Sequence, residues 1–294
     1  MATRPADLAA LPFDVDVVTF KATDGFPLNG LLYTPTGGAA TAALLVHGKT
    51  CNLFGVPGGM SPRAFATAGI ASFAINMRVN SLGYSRGDVP FLNWDDFQFN
   101  MAGGAWEKLE DGHKDLEAAV AYLHRLGYAK IVLVGHSSGG FYCGDYAGRA
   151  QNFDGLILLS PLMTNRYSLA AWFKDEAEAQ ATEQRARQMV AEGEGHLLIP
   201  LRHWYYAISA ATLIDRISER PGWWDDALRK NRKPTLLLYG GTEARVKEWH
   251  EKFEKVIAAP RKEIVGIEGS EHLYLGYENQ VNEAMLAFIR RHVL

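Results

Sequence analysis

The sequence predicts an α/β protein: a mostly parallel central sheet flanked by helices, with a helical cap inserted between two late strands. Three observations carry this. First, short apolar runs without polar alternation recur along the chain, at Ala42–Val46, Ala71–Ile75, Ile131–Val134, Leu156–Leu159 and Thr235–Tyr239. Runs of that length suit strands covered on both faces, as in a parallel sheet. Second, segments with helical periodicity alternate with these runs, which places helices on both faces of the sheet. Third, between Pro161 and Pro234 the alternation stops and no convincing strand is found.

Each element follows from its own pattern. Val15–Ala22 and Pro27–Thr34 are strand-like, and Asp24-Gly25 between them is a turn, so the chain should open with a hairpin. Around Asp115–Arg125, the residues Leu116, Ala119, Val120 and Leu123 share one helical face. Glu263–Ile267 is strand-like, and the chain closes on a helix with Val281, Ala284, Met285, Phe288 and Ile289 on one side. Within the interruption, Ser168–Ala191 is rich in Ala, Glu, Gln and Arg, and His203–Ile217 reads as a second helix. The expected organisation is a core of residues 1–161 and 234–294 with a cap or lid of residues 162–233.

Bulk properties narrow the function. The 294 residues are 48% apolar, ample for a sizeable core, and 21% charged. The formal net charge of −3 offers no basic footprint for nucleic acid and suits a small organic substrate. Two cysteines, Cys51 and Cys143, are too few for a disulfide framework, and no CxxC pair points to zinc. The apolar stretch near the N-terminus is short and is broken by Pro12 and Asp14, unlike a signal-peptide core. No run approaches the ~18 apolar residues of a membrane span. A cytoplasmic protein with no membrane partner is expected; composition leaves the oligomeric state open.

The chemistry centres on Gly135-His136-Ser137-Ser138-Gly139, which follows the strand Ile131–Val134 and precedes a helix-compatible segment. A serine raised on a sharp strand-to-helix turn needs small neighbours two residues before and after it. Ser137 has those glycines and Ser138 does not. The helix N-terminus beyond it offers N–H groups to a developing oxyanion.

With this motif in its context, the chain resembles the α/β-hydrolase superfamily from the first hairpin to the last helix. The resemblance implies three further features. His47-Gly48-Lys49-Thr50 after Ala42–Val46 would supply a second oxyanion donor, the N–H of Lys49, partnering the N–H of Ser138. An acid is expected after Thr235–Tyr239, where Gly240-Gly241-Thr242-Glu243 follows; the family usually has aspartate there, and this chain has glutamate. The stretch from Ser160 to Asn165, one strand earlier, holds no carboxylate. A histidine is expected after the last strand, and Gly269-Ser270-Glu271-His272 provides it. The order Ser137, Glu243, His272 is that of the fold.

The implied activity is hydrolysis of a small or medium carboxylic ester through an acyl-enzyme, with no cofactor and no metal. Thioester, lactone, amide and carbon–carbon substrates use the same groups, so the fold alone does not choose among them. A non-catalytic ligand-binding protein on the same scaffold is a different class, but such proteins usually lose the serine or histidine. Dehalogenases and epoxide hydrolases carry aspartate in place of Ser137. Aromatics expected to line the pocket are Trp94 and, in the cap, His203, Trp204, Tyr205 and Tyr206. Arg78 reads as a structural ion-pairing residue, because the Asp-x-Arg-Gly run common in the family is incomplete here.

Overall fold

A computed structural model describes residues 11–54, 59–86, 100–161, 173–201, 207–218, 223–244 and 246–294. The chain begins with the antiparallel hairpin β1 (Phe13–Lys21) and β2 (Pro27–Pro35), turning at Gly25 with φ +87°. Next come β3 (Thr41–Val46), α1 (Pro62–Thr67) and β4 (Ala71–Asn76). After the short antiparallel pair β5 (Tyr84–Arg86) and β6 (Asn100–Ala102) follow α2 (Leu109–Arg125), β7 (Lys130–His136), α3 (Ser138–Arg149) and β8 (Gly155–Leu159). Among the described residues the main sheet has the order β1-β2-β4-β3-β7-β8, continued by β11 (Thr235–Gly240) and β12 (Lys262–Ile267). From β4 to β12 every pairing is parallel, as the unalternated apolar runs predict.

Each face of this sheet has its own core. Leu44, Phe73, Leu133 and Leu158 point to one side, against α2 and α3. Leu45, Ala74, Val134 and Leu159 point to the other, against α1 and the last helix, α8 (Glu278–His292), which follows α7 (Val246–Val256) and β12. Alternation of side chains along a strand thus feeds two helical layers at once, and each fully buried Leu or Phe contributes roughly 2–3 kcal/mol. Arg78, just beyond β4, ties the opening hairpin to α2. Its guanidinium holds Asp24 through two hydrogen bonds of 2.9 Å and reaches Asp115 at 2.6 Å. It is an ion-pairing residue of the framework.

The stretch between β8 and β11 differs from its sequence reading in three ways. It contains strands: β9 (Leu198–Pro200) and β10 (Ala207–Ser209) pair antiparallel, each too short to leave a period in the sequence. The helix expected at His203–Ile217 is shorter. As α5 it spans Ala210–Ile217, because the Ser209 hydroxyl accepts the Thr212 N–H at 3.1 Å and starts the helix there. With α4 (Glu176–Ala191) these elements share a separate apolar cluster that includes Met189, Ile199, Ile208 and Leu213. Finally, residues 223–230, placed by the sequence within the 162–233 cap, form α6 (Trp223–Lys230), which packs on the core. Trp224 donates from its indole nitrogen to the Phe141 carbonyl at 2.9 Å and lies with Leu228 in the α2–α3 cluster. A Cβ on Gly144 or Gly148 of α3 would fall within 2.7 Å of Trp224 or Ala227, so the close approach depends on those glycines.

Candidate active site

Ser137 stands between β7 and α3 with φ +54° and ψ −118°, a sparsely populated conformation for a residue with a side chain. The flanking glycines account for its being held there. A Cβ on Gly135 would lie 2.4 Å from the Gly139 carbonyl oxygen, and one on Gly139 would lie 2.3 Å from that of Val46. Both are closer than any tolerable contact, so the strand, the turn and the helix can meet only where these two residues lack side chains. The serine N–H still joins the sheet by donating to the Leu159 carbonyl at 2.9 Å. Ser137 is partly accessible, whereas His136 and Ser138 are buried. Ser138 opens α3, where N–H groups have no partner within the helix.

The turn after β3 passes directly beside this serine: a Cβ on Gly48 would lie 3.2 Å from that of Ser137. Lys49 follows. His47 is buried and fixes the turn from behind, its Nε2 accepting the Met77 N–H at 3.2 Å and its Nδ1 donating to the Gly48 carbonyl at 2.7 Å. Burial holds its pKa down at about 4 despite the bond to Gly48, so the ring is neutral at pH 7.

His272 and Glu243 arrive from the loops after β12 and β11. Nδ1 of His272 donates to Oε2 of Glu243 at 2.9 Å. Oε1 of Glu243 accepts the Gly240 N–H at 2.9 Å and the Ser160 hydroxyl. Burial alone would raise the Glu243 carboxyl, but the bonds from His272, Ser160 and Gly240 outweigh it and hold it below its ordinary value. The His272 loop is anchored next to Ser137 by His136, whose Nε2 donates to the His272 carbonyl at 2.8 Å; the two rings lie 4.8 Å apart. Burial first, and the nearby His272 second, push His136 down to about 3.

The structure thus brings Ser137, His272, Glu243 and the Gly48–Lys49 turn to one end of the parallel strands. Trp94, His203, Trp204, Tyr205 and Tyr206 lie outside the described residues. Three residues missed by sequence reasoning belong here, Ser160, Tyr274 and Glu107. Glu107, just before α2, is 2% exposed and accepts from the Lys49 ammonium at 2.6 Å and the Tyr142 hydroxyl at 3.1 Å. It also pairs with Arg216 of α5. No spacing rule marks an isolated buried glutamate. Around it the insertion is pinned to the segment before α2: the Ser209 N–H donates to the Ala105 carbonyl at 2.7 Å, and the Leu109 N–H to the Asp215 carboxylate at 2.8 Å.

This combination of a parallel sheet, a strained serine between strand and helix, and an acid–histidine pair on the loops beyond is that of an α/β hydrolase. The sequence model of the alpha/beta hydrolase family matches residues 43–284, and the chain belongs to that family. Solved structures share the fold. The Pseudomonas aeruginosa protein PA2218 is 15% identical with a TM-score of 0.71, covering 100% of this chain and 99% of its own. The alpha/beta hydrolase GrgF from Penicillium sp. sh18 is 15% identical with a TM-score of 0.70, covering 95% and 99%. Est1E from Butyrivibrio proteoclasticus, solved with ferulic acid bound, is 20% identical with a TM-score of 0.64, covering 94% and 99%. No curated protein matches the chain.

Proposed function

We propose that the protein is a serine hydrolase cleaving carboxylic esters of small or medium organic substrates through an acyl-enzyme. The observation that carries this is the pairing of His272 with Glu243 at 2.9 Å on a loop latched beside the accessible Ser137. In this reading Ser137 Oγ attacks the ester carbonyl while Nε2 of His272 takes its proton. Glu243 holds Nδ1–H and favours the imidazolium that forms. The N–H groups of Lys49 and Ser138 receive the negative charge on the carbonyl oxygen; losing one such donor typically costs ~3 kcal/mol. The alcohol leaves with the proton from His272, and water, activated by the same base, releases the acid. A cap role for α4, β9, β10 and α5 rests on their separate apolar cluster and their attachment beside the Lys49 turn. An organic ester substrate is in keeping with Est1E, a similarly folded protein solved with a small organic acid, ferulic acid, bound.

The test is turnover of p-nitrophenyl acetate and labelling by a fluorophosphonate probe. Ser137→Ala is expected to lower kcat by ~10⁴-fold or more and to abolish labelling, with the fold retained. A folded variant with wild-type turnover would refute the proposal. A wild-type protein inert to the probe would favour a binding function instead.

A further inference from the structure

We propose that Ser160 and Tyr274 are positioning residues that fix the Glu243 carboxylate opposite His272. This rests on the serine-hydrolase reading above. Glutamate carries one more rotatable bond than aspartate, so its carboxylate needs more restraint to present one oxygen steadily to a histidine. The two oxygens divide the work here: Oε2 faces His272, while Oε1 takes the Ser160 hydroxyl and the Gly240 N–H. Two donors on one oxygen fix the plane of the group and leave the other oxygen for the histidine.

Ser160 follows β8 and is itself constrained. Its N–H donates to the Leu238 carbonyl at 2.8 Å, and its hydroxyl lies 2.6 Å from the Tyr274 hydroxyl. Tyr274 is fully buried, and its hydroxyl also reaches the Leu238 carbonyl at 3.1 Å. Proton counting gives this chain a direction. An ionised Glu243 has no proton to give, so the Ser160 hydrogen points to it. The Ser160 oxygen then accepts from Tyr274, whose single proton goes to the nearer oxygen. The Leu238 carbonyl keeps the Ser160 N–H as its donor. Burial raises the Tyr274 phenol, which keeps that proton in place.

The backbone gives an independent reason to assign a role. Ser160 has φ +38° and Tyr274 has φ +55°, left-handed values that residues with side chains adopt at a cost. Both strained residues belong to one hydrogen-bonded chain that ends on the candidate acid, and both strains persist because that chain and its surroundings over-determine them.

The test uses Ser160→Gly, Ser160→Ala and Tyr274→Phe, with Ser137→Ala and Glu243→Gln run beside them. Glycine removes the hydroxyl and adopts φ +38° freely; alanine removes it and keeps the strain. Both Ser160 variants are expected to lose about tenfold to a hundredfold in kcat, to similar extents, with KM little changed. The acid limb of kcat/KM should move to higher pH, because Glu243 loses a donor to its ionised form. Tyr274→Phe should shift both readouts the same way by less. Wild-type kcat and pH profile in folded Ser160 variants would overturn the proposal, and so would a loss confined to alanine. If the Ser160 variants fail to fold, an unchanged pH profile in Tyr274→Phe overturns it. Full activity in Ser137→Ala or Glu243→Gln would instead refute the underlying reading.

Discussion

His136 donates from Nε2 to the main-chain carbonyl of His272 at 2.8 Å, which joins the strand before Ser137 to the loop that delivers the histidine. His136→Phe keeps a planar ring, somewhat larger than the imidazole, and cannot make this bond. The expected result is a kcat lower by about tenfold on p-nitrophenyl acetate, with Ser137 still present. An unchanged kcat would show that the loop finds its place without the latch.

Glu243 presents a charge as well as a shape. Glu243→Gln keeps the size and the Gly240 contact but offers His272 an amide, which permits the wrong imidazole tautomer. A fall in kcat of ~10³–10⁴-fold is expected. Steady-state kinetics at pH 8 measures it, and a loss below about threefold would move the acid elsewhere.

Gly240 marks where the β11 strand end and the His272 loop touch. An added Cβ would lie 2.6 Å from the Glu271 carbonyl oxygen. Gly240→Ala should therefore displace His272, costing ~1–3 kcal/mol of stability and at least about tenfold in kcat. Gly37→Ala is the control, because nothing lies within 4 Å of its new Cβ. Thermal melts and turnover of the two variants should separate clearly; equal behaviour would count against the steric argument.

Acid should erode the contribution of the buried histidine. The pKa of His136 falls from 6.5 to about 3 on folding, so the unfolded chain binds more protons between those values. Its contribution is fully present above pH 6.5 and is lost as the pH drops toward about 3, at up to ~1.4 kcal/mol per pH unit. Asp115 and Asp145, pushed up to about 6 by burial, run the opposite way: their contribution is lost as pH rises from 3.8 through about 6. Urea midpoints of wild type and His136→Phe isolate the histidine, since the aspartates are common to both. The stability gap between them should shrink from pH 7 to pH 4.5. A constant gap would place a charged or exposed imidazole at this position.

The sheet was legible in the sequence because strands buried on both faces leave unbroken apolar runs, and Asp24-Gly25 set the hairpin. Ser137 was marked by its glycine-flanked turn between strand and helix, and the resemblance to the α/β hydrolases pointed to Glu243 and His272, which the structure pairs on the loops after β11 and β12. The insertion was harder. Three-residue strands have no period, and the start of α5 at Ala210 rests on one capping residue, Ser209, which the helical reading of His203–Ile217 passed over. The packing of Trp224 had a signal that went unused: Gly140, Gly144 and Gly148 recur every four residues on α3, a groove for a neighbouring helix. Ser160, Tyr274 and Glu107 had none, because each depends on partners distant in the chain.

The shared carboxylate of Glu107 bears on how this molecule can be re-engineered. Lys49 and Tyr142 come from the framework, and Arg216 comes from the insertion. The insertion is therefore not an interchangeable cassette. A chimera that imports a different one removes Arg216 from the carboxylate that Lys49 and Tyr142 also hold, and Lys49 is part of the turn beside Ser137. Grafts that carry an arginine to the place of Arg216 should tolerate the exchange, and grafts that lack it should need a second change at position 107.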